Sequence, residues 1–347
     1  MNKIRVLIVD DSIFFRKFLA DNLSDIPNIE VIGHAINAME AKRVIPQFKP
    51  DVVTLDVEMP GMSGIEFLTY LMNNNPVPVV LVSAVNMNVF DALSAGAVDF
   101  VKKPDANVPD AAAKFIKELA SKIEVAKSAH LNRFPAKQAV PPPPSVSRLS
   151  MSNILSSKKI IIALGASTGG TEATLVVLKE LPKNMPGIVI VQHMPPGFTK
   201  MYADRLNSIC QMEVREARDG DTVEQGVALI APGDLQMKVV RIGANYTVKC
   251  FNGEKVSGHC PSVDVLFHSV ATAAGRDAVG IIMTGMGKDG ADGLLAMRKA
   301  GAFTIGQDEE SCVVYGMPMV AYNIGAVAKQ TSCGNISSVL KSHLNQL

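Results

Sequence analysis

Charge of one sign, paired cysteines and long hydrophobic runs are all scarce in this 347-residue sequence, and each absence excludes something. The 34 Lys and Arg are balanced by 33 Asp and Glu, so no long-range field gathers nucleic acid or acidic lipid, and nucleic-acid binding is not expected. The five cysteines, Cys210, Cys250, Cys260, Cys312 and Cys333, are an odd, widely spaced set without a C-x-x-C pair. That pattern argues against a disulfide framework and against a zinc site, and favours reduced thiols in the cytosol. The first apolar stretch, Val6 to Val9, is cut by Asp10 and Asp11 and is too short for a signal sequence. No later run approaches the roughly 18 residues of a membrane span. A soluble, cytoplasmic protein with no membrane insertion is the expectation.

What is present is apolar bulk: 48% hydrophobic against 19% charged residues, enough for large cores. At roughly 100 to 200 residues per domain, the length predicts two domains. Residues 125–171 contain no acidic side chain and include Pro135 and four consecutive prolines from Pro141 to Pro144. Such a stretch is extended and semi-rigid, and reads as a linker over 127–157 between domains at 1–126 and 158–347.

Before the linker, apolar runs at 6–10, 29–32, 52–56, 77–83 and 98–102 alternate with helical patterns such as Ile65, Leu68 and Met72. Runs without polar alternation fit a parallel sheet covered on both faces, so the first domain is predicted to be a five-fold repeat of strand and helix in three layers. After the linker the alternation resumes with strands at 159–165 and 187–192 around a helix at 171–181. Runs at 228–232, 236–242 and 246–251, separated by Gly-Asp and Gly-Ala-Asn turn signals, read as antiparallel ribbons. A strand at 278–283, a helix at 290–300 and a strand at 303–306 complete a doubly wound, mainly parallel α/β domain.

In the first domain Asp10 and Asp11 close the first strand, Asp56 the third, Ser83 the fourth and Lys103 the fifth. Strand ends of a parallel sheet share one edge, which is where such sheets bind ligands. Converging carboxylates repel one another unless a cation neutralises them, and all-oxygen ligation suits magnesium. A magnesium ion and the Lys103 ammonium would let a carboxylate accept a phosphoryl group, with Asp56 as the candidate nucleophile. The competing view of any single Asp here is a loop or capping residue.

These residues carry a resemblance. Val9-Asp10-Asp11-Ser12, Leu55-Asp56-Val57-Glu58-Met59-Pro60-Gly61-Met62, Ser83-Ala84 and Phe100-Val101-Lys102-Lys103-Pro104 resemble a response-regulator receiver domain over residues 1 to about 125. The resemblance implies that Asp10 and Asp11 bind magnesium and that the Glu58 carbonyl completes the ligation. It implies further that Ser83 and Phe100 form a conformational switch, that Lys103, directly before Pro104, contacts the phosphoryl group, and that the Lys103–Pro104 bond is cis.

In the second domain Gly165-Ala166-Ser167-Thr168-Gly169 fits G-x-S-x-G between an apolar strand and a helix, the setting of a nucleophile elbow. Amides at the start of the following helix can stabilise an oxyanion beside Ser167. The alternative is a glycine-rich turn that binds phosphate or a nucleotide, though neither a P-loop Lys nor G-x-G-x-x-G is present. A serine nucleophile needs a base. His193 follows the strand at 187–192 and belongs on the edge that carries Ser167, whereas His268 falls within a helical pattern and His343 lies near the end. His259 beside Cys260 offers a Cys and His alternative. Asp289, after the strand at 278–283, is the carboxylate placed to orient His193, or else a helix N-cap.

The domain order, with Ala166-Ser167-Thr168-Gly169-Gly170, Gln192-His193-Met194-Pro195, Pro261-Ser262-Val263-Asp264 and Thr284-Gly285-Met286-Gly287-Lys288-Asp289-Gly290, resembles the chemotaxis response-regulator protein-glutamate methylesterases, the CheB family. The resemblance implies Ser167 as nucleophile, His193 as general base and then acid, Asp289 as orienter, and Thr168 and the Met286 region as oxyanion support, with no cofactor for the ester step. It also implies chemoreceptors as substrates, glutamine deamidation, a chemotaxis histidine kinase as phosphodonor, and an unphosphorylated receiver that blocks access. A phosphorylation-dependent binding module and a receiver-gated esterase with a non-chemotaxis substrate stay open, and a monomer is the default expectation.

Overall fold

The computed structural model describes residues 3–83, 88–105, 107–131 and 160–347. They fall into two compact units, one on each side of 132–159. The expected linker from residue 132 onward, and Ala84 of the receiver motif, lie outside the described residues.

The first unit alternates β1 (Ile4–Val9), α1 (Ile13–Ser24), β2 (Ile29–Ala35), α2 (Ala38–Phe48), β3 (Val52–Leu55), α3 (Gly64–Asn74), β4 (Val79–Ser83), α4 (Asn88–Ser94), β5 (Asp99–Lys102) and α5 (Ala111–Lys127). The strands form one parallel sheet in the order β2-β1-β3-β4-β5. β3 and β4 are buried at every position, which is why their sequences show no polar alternation. Polar side chains start the helices: Ser12 caps α1, Asn37 caps α2, and Ser63 with Glu66 forms a capping box on α3.

The second unit runs β6 (Ile161–Ala166), α6 (Gly170–Lys179), β7 (Gly187–Gln192), α7 (Phe198–Ile209), β8 (Glu213–Glu216), β9 (Val227–Ile230), β10 (Gln236–Ile242), β11 (Asn245–Phe251), α8 (Val263–Ala274), β12 (Ala278–Ile282), α9 (Ala291–Lys299), β13 (Phe303–Gln307), α10 (Met317–Asn323), β14 (Lys329–Thr331) and α11 (Ile336–Leu344). Seven strands form a wholly parallel sheet, β14-β13-β12-β6-β7-β9-β8. The chain leaves β6 toward β7 and later returns to β12 on its other side, so the strand order reverses at β6, the position where doubly wound sheets open a crevice.

One expectation about the ribbon needs correction. β10 and β11 form the antiparallel hairpin, closed between Ile242 and Asn245, but β9 pairs in parallel with both β7 and β8. The Gly-Asp signal after β9 does not close a hairpin. A Cβ on Gly233 would lie 2.4 Å from the Pro196 backbone, so that glycine serves a close approach between loops. No apolar run announces β8, Glu-Val-Arg-Glu, or β14, Lys-Gln-Thr, because these are the sheet's two edges, where charge blunts further pairing. Among the described residues, no helix is long and apolar enough to cross a membrane.

Candidate active site

At the C-terminal edge of the first sheet, oxygens of Asp10, Asp11 and Asp56 lie within 4.8 Å of one another. Asp10 and Asp56 are buried and Asp11 is exposed. Lys103 Nζ enters the cluster, donating to Asp10 Oδ2 at 2.9 Å and Asp56 Oδ2 at 2.6 Å. Burial raises the Asp10 pKa above its ordinary value, with Lys103 opposing the shift. Burial works to lower the Lys103 pKa, but the hydrogen bonds and charges of Asp56 and Asp10 outweigh it and the net shift is upward. One ammonium among three carboxylates leaves net negative charge and open oxygen lone pairs, a donor set that suits a hard divalent cation. The exposed Glu58 sits beside the cluster with its amide on Asp56 Oδ1 at 3.0 Å.

Ser83, at the end of β4, is fully buried with its Oγ unpartnered among the described residues, and Phe100 on β5 is buried. The Lys103–Pro104 bond is not cis; the cis bond among the described residues is Cys260–Pro261. Trans is the lower-energy form even before proline, and Lys103 reaches both carboxylates from it. Three neighbours have no counterpart in the reading from sequence. Phe15 lies under Lys103 with its ring centroid 4.6 Å from Nζ, Arg16 donates to the Asp10 carbonyl at 2.7 Å, and Lys122 binds Asp99 and the Phe100 carbonyl.

The second sheet places a different constellation on its C-terminal edge. β6 and β7 are paired so that Ala166 faces Gln192, and the His193 amide extends that ladder by donating to the Ala166 carbonyl at 3.2 Å. Ser167 and His193 are therefore the next residues on neighbouring strands, whose usual spacing is about 4.8 Å. On the other side, Ser167 donates its amide to the Thr284 carbonyl at 3.0 Å, at the end of β12. Gly285 packs directly against the nucleophile candidate: a Cβ there would lie 2.7 Å from Ser167 Cβ, so only glycine lets the Met286 loop come this close. Thr284 Oγ1 donates to the Thr168 carbonyl at 3.0 Å, Thr168 is buried, and Met286 is exposed.

His193 Nε2 and Asp289 Oδ2 are 2.8 Å apart, which leaves His193 Nδ1 buried and without a partner among the described residues. Asp289 is 1% exposed and accepts from Ser262 Oγ at 2.8 Å, the Val263 amide at 2.8 Å and the Asp264 amide at 3.0 Å. Burial alone would raise its pKa. Hydrogen bonding to His193 and the charge of His193, with Ser262 and the Val263 amide, prevail and hold it down at about 2. Asp289 is thus an ionised carboxylate seated on the N-terminus of α8, not a cap on α9, whose first turn follows Gly290.

The CheB methylesterase family model matches residues 162–340, and the response regulator receiver domain model matches residues 6–111. This chain belongs to the CheB methylesterase family. It is 54% identical to a protein-glutamate methylesterase/protein-glutamine glutaminase 2 of Syntrophomonas wolfei, covering 100% of this chain and 99% of that one. A protein-glutamate methylesterase/protein-glutamine glutaminase of Syntrophotalea carbinolica is 47% identical over 96% of both chains. The crystal structure of the Thermotoga maritima CheB methylesterase catalytic domain is 34% identical, with a TM-score of 0.52, covering 54% of this chain and 98% of its own.

Within the methylesterase half, two residues named in the sequence take contacts there that the sequence does not announce. Ser262, the N-cap of α8, is a direct donor to Asp289. His259 stacks on His193, ring centroids 3.7 Å apart and planes within 8°. The pairing of His259 with Cys260 finds no support, because burial pushes the Cys260 thiol pKa up and away from thiolate. His268 is exposed on α8, and His343 stacks on Phe303.

Proposed function

We propose that this CheB-family chain hydrolyses γ-methyl esters of glutamate side chains on chemoreceptors, deamidates selected receptor glutamines, and is activated by phosphorylation of Asp56. The observation that carries the reading is the ionised Asp289 paired with His193 one strand away from the Ser167 turn. With Nε2 engaged by Asp289, His193 presents Nδ1 to take the proton of Ser167 as its Oγ bonds to the acyl carbon. The negative oxygen of the tetrahedral intermediate is held by amides at the start of α6, around Thr168, and in the Met286 loop. His193 returns the proton to the departing methoxide, releasing methanol. A water then loses a proton to His193 as it attacks the acyl-enzyme, the acyl–Oγ bond breaks, and His193 gives that proton to Ser167 Oγ, restoring the serine and its own neutral ring as the glutamate product leaves and ionises to the carboxylate. With a glutamine side chain the same acyl-enzyme forms and ammonia leaves.

In the receiver, Asp10, Asp11, Asp56 and the Glu58 carbonyl would hold Mg2+, which neutralises charge at the phosphoryl group when bound. Asp56 is the acceptor, with a chemotaxis histidine kinase as donor. Lys103 turns from the carboxylates to the new phosphoryl oxygens, and Ser83 and Phe100 respond to it. The reading is tested by methanol release from methylated receptor membranes, comparing wild type with Ser167→Ala, with and without a small phosphodonor and magnesium. Serine-dependent release that rises with phosphodonor is expected. Release that survives Ser167→Ala would remove the nucleophile, and none in any condition would return the second unit to another substrate or a binding role.

A further inference from the structure

We infer that Gln192 is a positioning residue for the hydrolysis, a brace that sets the distance between nucleophile and base; this rests on the reading of Ser167 as the nucleophile. Gln192 is the last residue of β7, next to His193, and is 3% exposed. Its Nε2 donates to the Ser167 carbonyl at 2.9 Å, with a longer 3.4 Å contact to the His193 carbonyl. The Ser167 backbone is thereby held from both flanking strands: its amide is tied to Thr284 after β12 and its carbonyl to Gln192 on β7. The Gly170 amide is the second donor to that carbonyl, at 2.7 Å.

The other end of the amide supports the same assignment. Gln192 Oε1 is buried without a hydrogen-bond partner among the described residues, and a Cβ on Gly170 would lie 2.3 Å from it. The oxygen is therefore pressed against the first residue of α6, where the helix's positive end favours an acceptor. A buried polar atom left unpaired is costly, so an amide kept here answers to its other end, the bond to Ser167. An apolar side chain of equal size would fill the space without that cost and without the bond.

The full-length protein tests this with Gln192→Met, which keeps volume but loses the donor, and Gln192→Glu, which keeps shape but sets oxygen against two carbonyls. The readouts are the rate of Ser167 modification by a fluorophosphonate, and kcat and KM for ester hydrolysis per titratable site. Misplacement of a reacting group by about 1 Å costs on the order of a hundredfold, so both variants should lose about tenfold to a hundredfold in modification rate and kcat, with KM little changed. A residue that merely supports the fold would lower the number of titratable sites while each remaining site kept the wild-type rate; that result overturns the proposal. Failure of the wild type to be modified at Ser167 would remove the nucleophile itself, a distinguishable failure.

Discussion

Both units set buried carboxylates beyond the C-terminal ends of parallel strands, yet the two sites solve the problem of buried charge in opposite ways. In the receiver, three carboxylates cluster together with one ammonium, which bonds Asp10 and Asp56, and burial has raised the Asp10 pKa. In the methylesterase unit, Asp289 has an imidazole, a hydroxyl and two amides, and its pKa has fallen to about 2. The first site is under-compensated and so is poised to change when a cation or phosphoryl group arrives. The second is saturated with fixed donors and is built to hold one tautomer of one histidine. The proposed switch and the proposed catalyst place different demands on the C-terminal edges of two parallel sheets.

The largest break in this comparison is expected from Asp289→Asn. The substitution keeps shape but removes the fixed charge opposite His193 Nε2, so the proton is no longer held there and Nδ1 stops acting as a base. A fall in kcat of about 10³- to 10⁴-fold is expected, measured as methanol release, with the receiver still accepting phosphate from a small phosphodonor. Retained turnover would show that Asp289 only braces α8. The counterpart on the switch side is Asp56→Asn, for which stimulation by phosphodonor and magnesium should vanish altogether, read as the ratio of rates with and without donor. A surviving response would place the acceptor elsewhere.

A smaller effect sharpens the catalytic side. His259 is fixed by a backbone pair with Val256, at 3.0 and 2.9 Å, and lies flat on His193. Removing that plate by His259→Ala should let the base tilt and lower kcat by about tenfold, whereas His259→Phe, which restores a flat ring, should recover most of the loss. Equal activity in all three proteins would reduce the stack to packing.

How much of this was legible in the sequence follows from which facts are local. The central strands announce themselves because both faces are buried, and the strand-end positions of Ser167, His193, Asp289, Asp10 and Asp56 follow once the sheets are taken as parallel. The edge strands β8 and β14 stayed hidden because solvent, not core, chose their residues. Ser262 was visible only as part of a motif, since its contact with Asp289 spans 27 residues and depends on how α8 docks. Gln192 was visible only as His193's neighbour, because its bond to the Ser167 carbonyl spans 25 residues and exists only once β6 and β7 pair. His259 was judged by its neighbour Cys260, whereas its partner is 66 residues away on another strand end, a relation no local spacing encodes.

The smallest effect has opposite signs at the two sites, which makes it a sharp test. A carboxyl whose pKa is raised on folding binds protons more tightly when folded, so its ionisation costs stability as pH rises from the unfolded value of 3.8 through the raised folded value. Asp10→Asn should therefore stabilise the metal-free protein at neutral pH, and the gain should shrink when magnesium is added. A carboxyl whose pKa is lowered gives stability that is fully present above 3.8 and is lost as pH falls through about 2. Asp289→Asn should lower stability at neutral pH by about 2 kcal/mol and flatten the acid side of the profile between about pH 4 and 2. Denaturant midpoints across pH, with and without magnesium, read both at once. If Asp10→Asn and Asp289→Asn move the midpoint in the same direction at neutral pH, the contrast between an under-compensated switch and a saturated catalytic carboxylate is wrong.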